Sequence, residues 1–285
     1  MKPERFFRRM ARPLLRASIM GINAVHRGMR PKPPPADVRR VVIFCPYSGV
    51  GNLLLWIPAL RALHAKWPEA QVILVGPSEA TALPLLQSGL VSDVIDFKKT
   101  ADSSLREQMR FIRERVRPLF PDVAVCGFIE PPRRVSWWAL LSGAPFRVGY
   151  GSSGDSFLLT RRLPLRGDIH EALRNFKLLE PLGIHSELPS GDYVPDDEAL
   201  RWAESWLERR NMASPRVGIH PGSAAAARDR RKRWSVERFI EVARKLAGAG
   251  MGVVLFEGPD DRDEVAAIES ALGGKIETLR NEGLN

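Results

Sequence analysis

The run Val41–Cys45 (VVIFC) constrains the fold most: five consecutive apolar side chains, with the turn Ser48-Gly-Val-Gly51 close behind. A strand with one wet face alternates apolar and polar residues. An unbroken apolar run of strand length belongs to a strand covered on both faces, as in a parallel sheet with helices on each side. The pattern then recurs. Asn52 suits the N-cap of a helix predicted through Lys66, Val72–Val75 reads as a second buried strand closed by Gly76-Pro77, and Ala80–Ser88 reads as a helix. A third strand is expected within Val91–Phe97, a basic helix over 103–118, a fourth strand over Asp122–Phe128 and a short helix over Val135–Ser142. Strands alternating with helices in this way imply a doubly wound, Rossmann-like α/β layer.

Glu198–Asn211 reads as a connecting helix, with Trp202 and Trp206 four apart on one face. Beyond it the chain starts over: strand Val217–His220, turn Pro221-Gly222-Ser223, loop Ala224–Arg233, a helix from Ser235 to about Leu246, strand Gly252–Phe256 and helix Asp260–Leu272. Ser235 is a good N-cap, and Trp234 and Phe239 stand at the N′ and N4 positions of a hydrophobic staple. The expected organisation is a tail and proline-rich linker (1–40), a first domain (41–197), a connector (198–215) and a second, partial domain (216–285). The latter holds two or three strands and two helices, few enough to leave an unpaired edge and uncovered apolar surface.

Charge is concentrated at one end. Residues 1–40 carry eleven basic and two acidic side chains, nine of the net +10, so the body is nearly neutral and a nucleic-acid reading would rest on the tail alone. We expect no nucleic-acid partner. Arginines interleaved with Phe6, Phe7, Met10, Leu14, Leu15, Ile19, Met20 and Ile22 suit an anionic membrane surface, in two pieces because Pro13 interrupts a helix. Ala17–Val25, preceded by Arg16, makes a poor secretory signal core. Cys45 and Cys126 both lie in apolar runs and read as buried thiols. The five histidines show no metal-ligand spacing, and no metal is expected.

Three turns carry candidate chemistry. In Ser48-Gly49-Val50-Gly51-Asn52 two glycines allow close approach of a ligand to the backbone, and the following helix offers free N–H groups; a tight turn capped by Asn52 is the rival account. The loop is not the dinucleotide fingerprint, because Leu54 replaces its third glycine and no acid closes the second strand. His220-Pro-Gly222-Ser223 precedes five cations in six residues (Arg228, Arg230, Arg231, Lys232, Arg233), which suits a diphosphate or else forms a solvated charge run. In Gly258-Pro-Asp260-Asp261, Asp260 either accepts from ribose hydroxyls or caps the next helix.

Four stretches, in order, carry a resemblance: Val41–Leu63 (VVIFCPYSGVGNLLLWIPALRAL), Ser142–Tyr150 (SGAPFRVGY), His170–Ile184 (HEALRNFKLLEPLGI) and Val217–Leu246 (VGIHPGS…KRWSVERFIEVARKL). Over roughly residues 41–283 the chain resembles glycosyltransferase family 9, the heptosyltransferases of lipopolysaccharide core assembly. The resemblance implies a GT-B type fold of two Rossmann-like parallel-sheet domains, acceptor on the first and nucleotide-sugar on the second. It implies inverting transfer with no obligatory metal and no cofactor beyond the ADP-heptose-like donor. It places Ser48, Gly49 and Gly51 at the acceptor, and Gly222, Ser223 and Asp260 at the donor. Lys232, from the K-x-W motif, would neutralise the departing diphosphate. The family's S-x-x-G-D loop ends on a general base; here Asn52 stands there, and an amide orients a hydroxyl but takes no proton at neutral pH. A D-S-G-P-x-H-like donor segment of the family is not among the 285 residues, so the second domain is expected to be incomplete. The function so implied is sugar transfer to a cell-surface glycolipid at the inner face of the cytoplasmic membrane. A degenerate glycan- or nucleotide-binding protein of the same fold is the alternative.

Overall fold

The computed structural model describes residues 33–45, 49–97, 100, 103–127, 135–151, 156–164, 167, 169–222, 233–258 and 260–280. The basic tail through residue 32, Ser48, Ser223 and Lys232 lie outside the described residues. The chain divides into two units between Val194 and Pro195.

The first unit is built on β1 (Arg40–Phe44), β2 (Gln71–Gly76), β3 (Asp93–Asp96), β4 (Val123–Cys126), β5 (Phe146–Tyr150) and β6 (Arg161–Leu163). All pairings are parallel, in the order β3-β2-β1-β4-β5-β6. The central β1 is in register with both neighbours, Val41 opposite Val72 and Val123. Successive side chains point to opposite faces. Val41, Ile43, Val72, Leu74, Val123 and Val125 therefore join one core, while Val42, Phe44, Ile73, Val75, Ala124 and Cys126 join the other. The first core is completed by α1 (Val50–Leu54), α2 (Ile57–Lys66), α3 (Glu79–Gln87) and α6 (Glu171–Lys177), the second by α5 (Val135–Leu141) and the turns after α4 (Leu105–Phe111). This is the doubly wound layer that the buried strands imply.

Local differences have local causes. The helix expected from Asn52 to Lys66 is two helices, broken at Leu55–Trp56. Pro58 has no N–H to donate, and its ring crowds the carbonyl of Leu54, where α1 ends. Asn52 is not the cap: the helix starts two residues earlier, on extended Gly49, and Asn52 N–H donates to Gly49 O at 3.2 Å. Asn175 Nδ2 donates to Leu55 O across the break, at 3.3 Å. The basic helix begins at Leu105 behind a Ser104–Glu107 capping box, opens into a π-helical turn at Ile112–Val116 and ends at the 3₁₀ turn Arg117–Leu119, where Pro118 cannot continue it. Strands β5 and β6 were not expected. Arg147 interrupts the apolar run of β5, and its guanidinium donates to Ala144 O (2.7 Å) and Leu158 O (2.8 Å).

The second unit has α7 (Asp197–Arg209), β7 (Arg216–Ile219), α8 (Val236–Gly248), β8 (Gly252–Glu257), α9 (Arg262–Leu272) and β9 (Glu277–Arg280). Its strands are parallel in the order β7-β8-β9. Ile219, Val253 and Leu255 pack with Ala243 of α8 and with Val265, Ile268 and Leu272 of α9. The neighbour side chain Phe256 is exposed. Helix α7, read from sequence as a connector, groups with this unit. Only one tryptophan of its pair goes inside: Trp206 is buried under the Arg210 guanidinium, 3.7 Å from the ring centre, while Trp202 is exposed. Arg210 in turn reaches Glu277 of β9 at 3.1 Å. The Trp234–Phe239 staple forms, edge to face at 5.3 Å, although the Ser235 side chain makes no capping bond.

Both cysteines are buried, and burial pushes the Cys45 thiol well above the ordinary range. A buried thiol held in its protonated form is a poor nucleophile. Among the described residues, no helix is long and apolar enough to cross a membrane.

Candidate functional site

Two turns at the carboxyl ends of parallel strands hold the candidate residues, one in each unit. Parallel α/β sheets bind ligands at this edge, where strands hand over to helix N-termini.

In the first unit, β1 leads into Gly49, Gly51 and Asn52, all on the surface or close to it. A Cβ added to Gly49 or Gly51 would meet nothing within 4 Å among the described residues, so packing against these does not account for either glycine. Asn52 is exposed as the third residue of α1. Trp56, at the break between α1 and α2, is fully buried and sits 3.1 Å from where a Cβ on Gly127, just after β4, would stand. Two buried polar atoms at the helix break, Trp56 Nε1 and Asn175 Oδ1, have no hydrogen-bond partner among the described residues.

In the second unit, the pairing of Ile219 with Leu255 sets His220 beside Phe256 and brings the turn after β7 against the turn after β8. The residue between them is Asp261, which sequence reading did not single out. Its side chain is 1% exposed. Oδ1 accepts from Gly258 N–H at 2.6 Å, and Oδ2 lies 3.3 Å from His220 Nδ1 and has no well-formed hydrogen bond among the described residues. His220 Nδ1 also lies 3.0 Å from Phe256 O. Gly222 packs directly on the carboxylate: a Cβ there would collide with Oδ2 and stand 2.7 Å from Cγ and 2.9 Å from Cβ of Asp261.

Asp260, by contrast, is exposed, and α9 is preceded by Asp261, not by Asp260, as its N-cap residue. The capping account of Asp260 is thus corrected; neither acid makes a side-chain capping bond. A sequence signal for Asp261 existed. Asp261, Val265, Ile268 and Leu272 recur at helical spacing on the inward stripe of α9, and Asp260 falls off it. Of the five cations expected at this turn, Arg233 is engaged within its own unit. It bonds Glu264 Oε1 at 2.9 Å and Asp260 O at 3.0 Å. Ser223 and Lys232, with the rest of the loop, lie outside the described residues. Among the described residues, no three His, Cys, Asp or Glu side chains are grouped as metal ligands would be.

The sequence pattern of Glycosyltransferase family 9 (heptosyltransferase) matches residues 133–279. Lipopolysaccharide heptosyltransferase 2 of Escherichia coli (strain K12) is 26% identical over 243 residues, 79% of this chain and 65% of that protein. The chain thus spans about two-thirds of that relative's length. The glycosyl transferase family 9 structure from Veillonella parvula DSM 2008 superposes with a TM-score of 0.68 at 20% identity, covering 87% of this chain and 70% of that one. Escherichia coli heptosyltransferase WaaC with ADP gives 0.61 at 18% identity, covering 86% and 76%. These likenesses support two parallel-sheet α/β units consistent with a GT-B-like architecture. The match over residues 133–279 takes in more than half of the chain, which belongs to glycosyltransferase family 9.

Proposed function

We propose that the protein transfers a heptose or related sugar from an ADP-heptose-like nucleotide-sugar to a lipopolysaccharide-core or similar glycolipid acceptor, with inversion. The observation that carries this reading is the turn after β7. Its glycine backbone is seated on a buried carboxylate at the carboxyl edge of a parallel sheet, and a run of cations follows it in sequence. In the proposed reaction an acceptor hydroxyl oxygen attacks the anomeric carbon as the bond from that carbon to the diphosphate breaks. The diphosphate leaves with the bonding electrons, and the hydroxyl proton passes to a base. Negative charge grows on the leaving group, where Lys232 and Ser223 act. The turn at Ser48, Gly49 and Gly51 receives the acceptor; Asn52 orients its hydroxyl and is not the base, since an amide takes no proton.

Turnover tests this reading. Incubation with ADP-heptose and heptose-deficient lipopolysaccharide is expected to give a glycosylated product, and Lys232→Ala to lower kcat by about 100-fold or more with the folded state intact. Nucleotide binding without product would instead favour a degenerate binding protein, a reading that Asn52 at the base position supports. An unchanged rate in Lys232→Ala would remove the role assigned to that lysine.

The tail through residue 40 is proposed to hold the protein at the inner face of the cytoplasmic membrane, as its interleaved arginines and large apolar residues suggest. Deleting residues 1–32 is expected to abolish co-sedimentation with vesicles rich in phosphatidylglycerol at 0.15 M salt. Equal sedimentation of the two forms would move the contact elsewhere.

A further inference from the structure

We infer that His220 is a ligand-binding residue, its Nε2 accepting a hydrogen bond from a hydroxyl group of the donor, and that Asp261 is the positioning residue which keeps the ring proton on Nδ1. The inference rests on the second unit being the donor-binding one.

The tautomer follows from the neighbours. Nδ1 faces two oxygens that can only accept: the Phe256 carbonyl at 3.0 Å and the Asp261 carboxylate at 3.3 Å. Nδ1 must therefore carry hydrogen, and the neutral ring then presents a lone pair at Nε2. The side chain is half exposed although Nδ1 is engaged inward, and Nε2 has no partner among the described residues. His220 thus offers an oriented acceptor at the edge of the turn.

The lone pair at Nε2 selects the ligand group. Asp261 lies behind the ring, and Asp260 and Asp263 stand exposed at the start of α9. Glu264 is held by Arg233, and Glu257 at the end of β8 by Arg262 and Arg280. A lone pair can only accept, so it has nothing to offer an ionised phosphate oxygen and suits a hydroxyl, which brings its own hydrogen. A nucleotide-sugar carries such hydroxyls on the ribose and on the sugar being transferred.

The carboxylate is otherwise hard to explain. A buried ionised group is costly unless well bonded, and among the described residues Asp261 accepts one bond, from Gly258 N–H, with its second oxygen turned to His220. A structural device would need only the first of these.

Ring ¹⁵N spectra of the full chain with labelled histidine at pH 8 test both parts, with the His220→Gln variant assigning the resonances. Expected are a protonated Nδ1 and a lone-pair Nε2, and movement of the Nε2 resonance on binding. Movement with ADP that is lost with 2′,3′-dideoxy-ADP assigns the ribose; movement with ADP-glucose but not ADP assigns the transferred sugar. His220→Ala should weaken binding of the responding ligand about 5- to 10-fold. Asp261→Asn keeps the shape and the bond to Gly258 but offers His220 an amide, so it should mix the tautomers and weaken binding by a similar factor.

Binding of ADP or ADP-glucose with the Nε2 resonance unmoved would overturn the role of His220 and leave the donor reading standing. An unchanged tautomer in Asp261→Asn would overturn the role of Asp261. Failure of the wild-type chain to bind either nucleotide would overturn the donor reading and the inference with it.

Discussion

Replacing Trp56 with alanine is expected to destabilise the first unit by about 3–5 kcal/mol, read as a fall in the urea midpoint. The indole is fully buried at the break between α1 and α2, under the turn after β4 and in the larger of that unit's two cores. Its removal loses transfer free energy and leaves a cavity whose walls are sheet and helix, which cannot collapse far. One effect opposes this. Trp56 Nε1 is buried without a partner among the described residues, so deleting the indole also removes an unpaired donor, worth about 1–3 kcal/mol. The phenylalanine variant separates the two effects. Trp56→Phe keeps most of the ring and removes the orphan donor, and is expected within about 1 kcal/mol of the wild type. If Trp56→Phe is as damaging as Trp56→Ala, the indole nitrogen has a bonded partner in solution.

Gly222→Ala carries the second large effect. The new methyl would overlap the Asp261 carboxylate, which is buried and tied to Gly258 N–H at 2.6 Å. Moving the carboxylate breaks that bond; moving the turn shifts His220. Overpacking and a lost charged hydrogen bond together predict about 2–4 kcal/mol of destabilisation and a large loss of nucleotide affinity. The diagnostic is non-additivity. Reducing Asp261 to glycine removes all three atoms that the methyl would meet, so the double variant should be clearly more stable than the two single losses predict. Full additivity would mean that the two residues do not touch in solution.

What could be read in advance follows the range of the interactions. β1 and β2 are legible because burial on both faces demands unbroken apolar runs, and Val41–Cys45 and Val72–Val75 supply them. β5 is hidden because Arg147 interrupts its run, and only the structure reveals the carbonyls of Ala144 and Leu158 that accept its guanidinium. The break before α2 was legible: Pro58 marks it, and the apolar periodicity on either side disguised it. At the second site the turn itself could be read, its organising acid only in part. Helical spacing separates Asp261 from Asp260, but the approach of Asp261 to His220 spans 41 residues and depends on the register of β7 against β8. Periodicity within one helix carries no information of that kind.

The position of β1 at the centre of its sheet has a consequence for synthesis. Its partner on one side, β2, follows within about thirty residues, whereas its partner on the other, β4, begins 82 residues on, with Val123 opposite Val41. At roughly 5–20 residues per second, the ribosome needs about 4–16 s to make that stretch. Throughout that interval the edge of Arg40–Phe44 that β4 will cover stays open beside apolar neighbours. It is then a template for any other extended chain in reach. The nascent chain is therefore most exposed to misassembly in that interval, and slower translation between β2 and β4 lengthens the hazard.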